Sequence, residues 1–144
     1  MTSARDIMHT GVICVSEHDT LTTAAQRMRE LGVGALPIWG DDNSLRGIVT
    51  DRDIVVKCVA AGQDPAVMTA GDLAQRDIYH IDADSDINDV ITVMEEHQIR
   101  RLPVLNGEKL VGMISEADIA RHLPEHAVGA FVEAIFAPKA LPGQ

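Results

Sequence analysis

Gly47-Ile48-Val49-Thr50-Asp51-Arg52-Asp53-Ile54 returns 65 residues later as Gly112-Met113-Ile114-Ser115-Glu116-Ala117-Asp118-Ile119. Glycine, two apolar residues, a hydroxyl residue and an aspartate three further on recur in the same order. Upstream the match continues at an offset of 66, one loop residue having been lost between the two registers. Leu36-Pro37-Ile38 meets Leu102-Pro103-Val104, and Val33 meets Ile99. Leu21, Ala24, Ala25 and Met28 meet Ile87, Val90, Ile91 and Met94. Both of these sets have i, i+3, i+4, i+7 spacing, which marks the buried stripe of an amphipathic helix. Asp6-Ile7 falls on Asp72-Leu73. The chain is therefore an internal duplication, the first thing to settle about any fold.

Each copy reads as short strand, helix, strand, turn, strand, helix. In the first, strands are expected over 12–15, 35–39 and 45–50, with helices over 20–31 and 51–60. Asp19 or Thr20 is the N-cap of the first helix. Gly40-Asp41-Asp42-Asn43-Ser44 forms one turn, and Asn106-Gly107 is the equivalent hairpin signal in the second copy. The expected architecture is α/β (α+β): two pseudo-symmetric repeats, each a small sheet packed on two helices, at 5–62 and 71–123. A linker around 61–70 carries Gly62 and Pro65. A C-terminal helix and tail occupy 124–144, with Pro124 suited to a first helical turn. Val128, Phe131, Val132, Ile135 and Phe136 give that helix an apolar stripe, which must cover its own domain or a second chain.

At 144 residues, 46% hydrophobic and 24% charged, the chain has the balance of a globular domain that builds its core without disulfides. With a formal charge of −10 it lacks the basic face that phosphate-backbone binding requires, so nucleic acid is excluded as a partner. No apolar run approaches the roughly 20 residues of a spanning helix, and residues 1–15 lack a basic start followed by an apolar stretch. The expectation is a cytoplasmic protein with no membrane role. Cys14 and Cys58 both sit among apolar neighbours and read as buried small hydrophobes.

Two copies of a helix, an apolar-Leu-Pro-apolar strand and a Gly-apolar-apolar-[Ser/Thr]-x-x-Asp strand end resemble tandem CBS domains, the pair called a Bateman module. The resemblance covers about residues 5–123 and is nearest to stand-alone pairs of the hypoxic response type, with no enzyme or channel attached. It implies a two-fold pseudo-symmetric unit with strand-lined clefts where the copies meet, and a disc-shaped homodimer. It also implies regulation by an adenosyl ligand (AMP, ADP, ATP or S-adenosylmethionine), read by a protein partner and serving a stress response. Carried over by residue, Thr50 and Ser115 would bond a phosphate or ribose oxygen, and Asp53 and Asp118 would accept from the ribose hydroxyls. Arg100 and Arg101 match positions that neutralise ligand phosphates in some members. The first copy has Gly34-Ala35 there, so two equal phosphate sites are not expected.

The chemistry suits these residue types. A vicinal diol offers two donors to a carboxylate, and charge-assisted bonds of that kind are the stronger ones. Free N–H groups at the start of the following helix face the same way. The same residues also have the form of a capping box, in which hydroxyl and carboxylate satisfy free N–H groups at a helix start. The choice of Asp in both copies, where Glu is the usual box partner, favours the ligand reading. For Arg100 and Arg101 the alternative is a pair of solvated charges. The net charge of −10 weakly favours AMP or an uncharged adenosyl compound over ATP.

Among six histidines, His97 and His122 are the candidate metal ligands, for zinc, provided that the ends of their helices meet. His122 and His126 have one-face spacing, but Pro124 breaks the helix between them. A histidine in a last helical turn is also simply favourable there. No G-x-S-x-G, P-loop or H-E-x-x-H motif is present, so an enzyme is not expected. The alternatives to a nucleotide sensor are a CBS pair that binds no nucleotide and serves as an interaction module, or a zinc-binding protein.

Overall fold

A computed structural model describes residues 2–74 and 78–138. The chain forms α1 (Ala4–Ile7), β1 (Val15–Ser16), α2 (Leu21–Leu31), β2 (Ala35–Trp39), β3 (Leu45–Thr50) and α3 (Asp51–Asp53). A π-helical segment, Ile54–Val59, extends α3, and a 3-10 turn follows at Ala70–Leu73. The second half contains β4 (Ile81–Asp82), α4 (Ile87–His97), β5 (Arg101–Asn106), β6 (Lys109–Ser115), α5 (Glu116–His122) and α6 (Glu125–Phe136). The mixed α/β architecture with two small sheets is as the duplication predicted.

The sheets have the same topology. In β1-β2-β3 and in β4-β5-β6 a two-residue outer strand pairs parallel with the central strand, which pairs antiparallel with the third. Even the irregularities repeat: the register shifts between Ile38 and Trp39, and again between Val104 and Leu105. The central prolines cause no lost ladder bond to the outer strand. β1 pairs only with Ile38 and Trp39, so Pro37 lies just beyond its reach, as Pro103 does for β4. The first strand is shorter than expected and begins later, Val15–Ser16 against 12–15; in this register Cys14 would face Pro37, which has no N–H to donate.

Three further local expectations change. The helix expected over 51–60 is one α-turn followed by π geometry. The Ala60 N–H donates to the Val55 carbonyl, five residues back, across a run whose β-branched Ile54, Val55 and Val56 disfavour the regular α-helix. The second hairpin turns at Gly107-Glu108, with Asn106 still paired to Lys109 and φ +65° at Gly107 alone, the form that places glycine first. Ala25 is exposed, whereas Leu21, Ala24 and Met28 carry the buried face of α2.

Two compact units result: Val12–Ile78, and Met1–Gly11 with Tyr79–Gln144. Each contains a short helical segment from the other sequence repeat. In the second unit, Ala4 N donates to Ser85 O, Arg5 N to Ala83 O and Ile87 N to Thr2 O, at 2.8–2.9 Å. In the first, Ala70 N donates to Asp19 O, Gly71 N to Glu17 O and Leu21 N to Met68 O, also at 2.8–2.9 Å. Every one of these bonds recurs at the 66-residue offset. Two cores match them. One holds Val15, Leu21, Met28, Leu36, Ile38, Val49 and Ile54 beside Ala70 and Leu73. The other holds Val90, Met94, Leu102, Val104, Ile114 and Ile119 beside Ala4 and Ile7. His9 exchanges backbone bonds with Met113. Glycine at 112 makes that approach possible, since a Cβ there would lie 2.9 Å from the His9 carbonyl oxygen.

The stripe of α6 covers its own unit. Phe131 and Ile135 are buried in the second core, while Val132 and Phe136 remain exposed. Cys58 is buried and Cys14 half-buried; both are free thiols, and burial pushes the Cys14 thiol up from its ordinary value.

Candidate functional site

In each unit the third strand ends on a hydroxyl residue and turns at once into a helix. Thr50 and Ser115 have the extended backbone of an N-cap, and the capping box forms at both. Thr50 Oγ1 accepts from Asp53 N at 3.0 Å, and Asp53 Oδ2 accepts from Thr50 N at 3.1 Å. Ser115 Oγ accepts from Asp118 N at 3.3 Å, and Asp118 Oδ2 accepts from Ser115 N at 2.8 Å. The box occurs at two more places, Ser3 with Asp6 and Thr69 with Asp72. All four boxes carry Asp. The preference for Asp at 53 and 118 therefore does not separate ligand binding from capping, contrary to the weight given to it above.

Beyond the box the two corners differ. Asp118 is buried, and its carboxylate meets four donors. Oδ2 also accepts from the Ser115 hydroxyl at 2.9 Å and from His9 Nδ1 at 3.0 Å, and Oδ1 accepts from Arg121 Nη1 at 2.9 Å. Three of the four donors thus meet Oδ2, while Oδ1 has Arg121 alone among the described residues. Burial pushes the Asp118 carboxyl up, but the bonds from the Ser115 N–H, the Ser115 hydroxyl and His9 outweigh it and hold it below its ordinary value. Asp53 is only half-buried. Its Oδ1 has Lys57 Nζ at 3.4 Å and no closer partner among the described residues.

Arg100 and Arg101 lie at the Ser115 corner. Arg101 pairs with Ser115 across the hairpin, and the Arg100 carbonyl accepts from Glu116 N at 2.9 Å. Both side chains are exposed, and neither makes a hydrogen bond or ion pair among the described residues. The Arg100 guanidinium lies 4.1 Å above the Phe136 ring. At the equivalent first corner, the Gly34 carbonyl accepts from Asp51 N and Ala35 pairs with Thr50, so no cation comes from those positions.

His97 ends α4 and stacks on Tyr79 with ring centroids 3.7 Å apart. His122 ends α5, and its Nδ1 donates to the Asp118 carbonyl at 2.8 Å, which leaves Nε2 as the acceptor nitrogen of the neutral ring. A second bond of this kind is how metal-ligating histidines are usually oriented. Neither histidine belongs to a set of three converging donors among the described residues; Glu17, His18 and Asp41 do, with their ligand atoms within 4.8 Å of one another. His18 Nε2 lies 2.8 Å from Asp41 Oδ2 and 3.5 Å from Glu17 Oε1. Local sequence did not reveal this group, because Asp41 reaches it from the β2–β3 turn.

The CBS domain family profile matches residues 4–59 and 70–125, and the chain belongs to that family. Over 141 residues it is 61% identical to hypoxic response protein 1 of Mycobacterium tuberculosis, a match covering 98% of this chain and 99% of that protein. It is similar to a crystal structure of Hypoxic Response Protein I with two coordinated zinc ions: 61% identity, TM-score 0.78, covering 85% of this chain and all of that one. CBSX2 in complex with AMP shares the fold at 21% identity and TM-score 0.72, covering 85% of this chain and 96% of that one. No helix among the described residues is long and apolar enough to cross a membrane.

Proposed function

We propose that this chain is a stand-alone, non-enzymatic regulatory CBS pair of the cytoplasm that binds an adenosyl ligand and, as a homodimer, relays its occupancy to a protein partner in a stress response. Its repeats are 5–62 and 71–123, with 124–144 as an appended helix and tail. Each corner, taken by itself, offers its own ligand chemistry. Thr50 and Asp53 suit a ribose diol, while Arg100 and Arg101, beside Ser115 and Asp118, suit a phosphate. The observation that carries this reading is Asp53 Oδ1, whose one contact among the described residues is Lys57 Nζ at 3.4 Å, whereas four donors meet the Asp118 carboxylate. The AMP complex of CBSX2 and the near full-length likeness to hypoxic response protein 1 support it.

Thermal denaturation of metal-stripped protein with AMP, ADP, ATP and S-adenosylmethionine tests the reading. A ligand at 100 times its Kd stabilises by about 2.7 kcal/mol, a shift of several degrees. That shift is expected to disappear in Asp53→Asn. Its survival there, or its absence in the wild type, rejects the site.

A second reading, zinc binding, is favoured by the preset Nε2 of His122 and by the zinc ions of the 61% identical structure. If His97 and His122 hold zinc, any Zn²⁺-induced rise in melting temperature is lost in His122→Gln and kept in His18→Gln. The reverse pattern assigns the ion to Glu17, His18 and Asp41.

A further inference from the structure

Helix α6 has no counterpart in the first unit, where no helix follows the π segment before the turn at Ala70–Leu73. Two other differences between the copies converge on its last turn. The first is at the C-cap of α4. The equivalent residue ending α2 is Gly32, at φ +67°, where glycine is at ease; α4 ends on Gln98, at φ +51°. A glutamine in that region is strained, and its side chain offsets the strain by donating from Nε2 to the carbonyls of Ala134 at 3.3 Å and Ala137 at 3.0 Å. Those are carbonyls at the end of α6, where no intrahelical partner is left for the last turn. The second difference is Arg100, in place of Gly34, with its guanidinium carbon over the Phe136 ring at 4.1 Å from the centroid.

The two contacts have one geometric result. Gln98 pins the end of α6, and the pinned end sets the Phe136 ring under Arg100. A guanidinium held by its face keeps its N–H edge for an oxyanion, and a planar fork matches a phosphate with two parallel bonds. Phe136 is 44% exposed, too much for a ring whose purpose is to fill the core. Phe131 and Ile135 already do that.

We propose that Phe136, held by Gln98, is a positioning residue that presents Arg100 to the phosphate of an anionic ligand at the Ser115 corner. This inference rests on the reading of Arg100 as a phosphate contact. Linkage then makes the effect reciprocal: whatever docks the end of α6 favours the anion, and the anion favours the docked helix.

The experiment follows the Arg100 Nε–Hε resonance by NMR while wild type, Phe136→Leu and Gln98→Gly are titrated with inorganic phosphate, with AMP and with adenosine; affinities of these proteins and of Arg100→Ala are measured by calorimetry. Glycine accepts the left-handed C-cap without strain, so Gln98→Gly releases α6 without endangering the fold. Phosphate and AMP are expected to weaken roughly three- to tenfold in both Phe136→Leu and Gln98→Gly. Adenosine, which lacks the phosphate, is expected to bind all variants as it binds the wild type. Arg100→Ala is expected to bind phosphate no better than either variant. If the wild-type Arg100 resonance moves with phosphate and does so equally in Phe136→Leu, the positioning role is overturned while the Arg100 contact stands. If it moves with neither phosphate nor AMP in the wild type, the contact itself falls and the positioning role with it. A loss of adenosine affinity equal to that of AMP overturns the inference by showing general damage.

Discussion

The Thr50–Asp53 corner and the Ser115–Asp118 corner begin from nearly the same residues and end in different chemical states. In the first, the carboxylate closes a capping box and keeps one oxygen nearly unengaged at a half-buried corner. In the second, the same box has become a buried junction. His9 arrives from the N-terminal segment, Arg121 from the next turn of α5, and the Asp118 carbonyl holds His122. The cations show the opposite distribution, with arginines at 100 and 101 against Gly34 and Ala35. Duplication supplied one scaffold twice, and divergence separated acceptor capacity from positive charge. Helix α6, which exists only in the second unit, extends that divergence.

The largest effect should come from α6. Phe131 is fully buried against the second core, and Phe131→Ala is expected to cost about 3–5 kcal/mol from lost burial and a residual cavity. Urea denaturation measures it. A cost below about 1 kcal/mol would show α6 to be an appendage rather than part of the second core.

Next come the two carboxylates, compared directly. Asp118→Asn removes charge-assisted bonds from a buried site and leaves His9 and Arg121 without their partner, so a loss of about 2–3 kcal/mol is expected. Asp53→Asn weakens a half-buried cap with fewer partners and should cost about 1 kcal/mol or less. Equal costs in urea midpoints would erase the distinction between junction and open corner. The acid limb sharpens it further. A carboxyl held below its ordinary value contributes stability that is present above the unfolded pKa of about 4, and that is lost as pH falls through the lower folded value. Part of the wild-type decline below about pH 4 should therefore be absent in Asp118→Asn. Asp6 and Asp42, also held low by bonds from Ser3 and Ser44, remain as background in both proteins.

The duplication made the fold legible because each copy repeats a helix stripe, a proline-bearing strand and a glycine-led strand in register. The strands at 35–39 and 45–50 followed, along with the Thr20 cap. The boxes at Ser3–Asp6 and Thr69–Asp72 were also within reach, since they fall on each other at the same offset. Recognising them would have removed the argument from Asp in place of Glu. Other features have no local signature. His9 meets Asp118 across 109 residues, and Gln98 meets Ala134 across 36. Such pairs depend on how the segment around Ala4 and helix α6 pack on the second sheet, which periodicity does not encode. The π geometry after Asp53 is likewise a choice between two helical spacings that one short β-branched run does not make plain.

The smallest expected effect concerns the first unit's exposed cluster. The hydrogen bond that His18 donates to Asp41 raises the imidazole above its ordinary value, and the charges of Asp41, Glu17 and Asp19 add to it. A raised histidine contributes stability that is fully present below the unfolded value of about 6.5 and is lost as pH rises through the folded one. Because the pair is exposed, salt should screen it. An NMR titration of His18 should show a midpoint above 6.5 in the wild type, falling toward 6.5 in Asp41→Asn and at high salt. The second unit has no such cluster among its described residues. A His18 midpoint unmoved by Asp41→Asn and by salt would remove this exposed pair from the contrast between the two units.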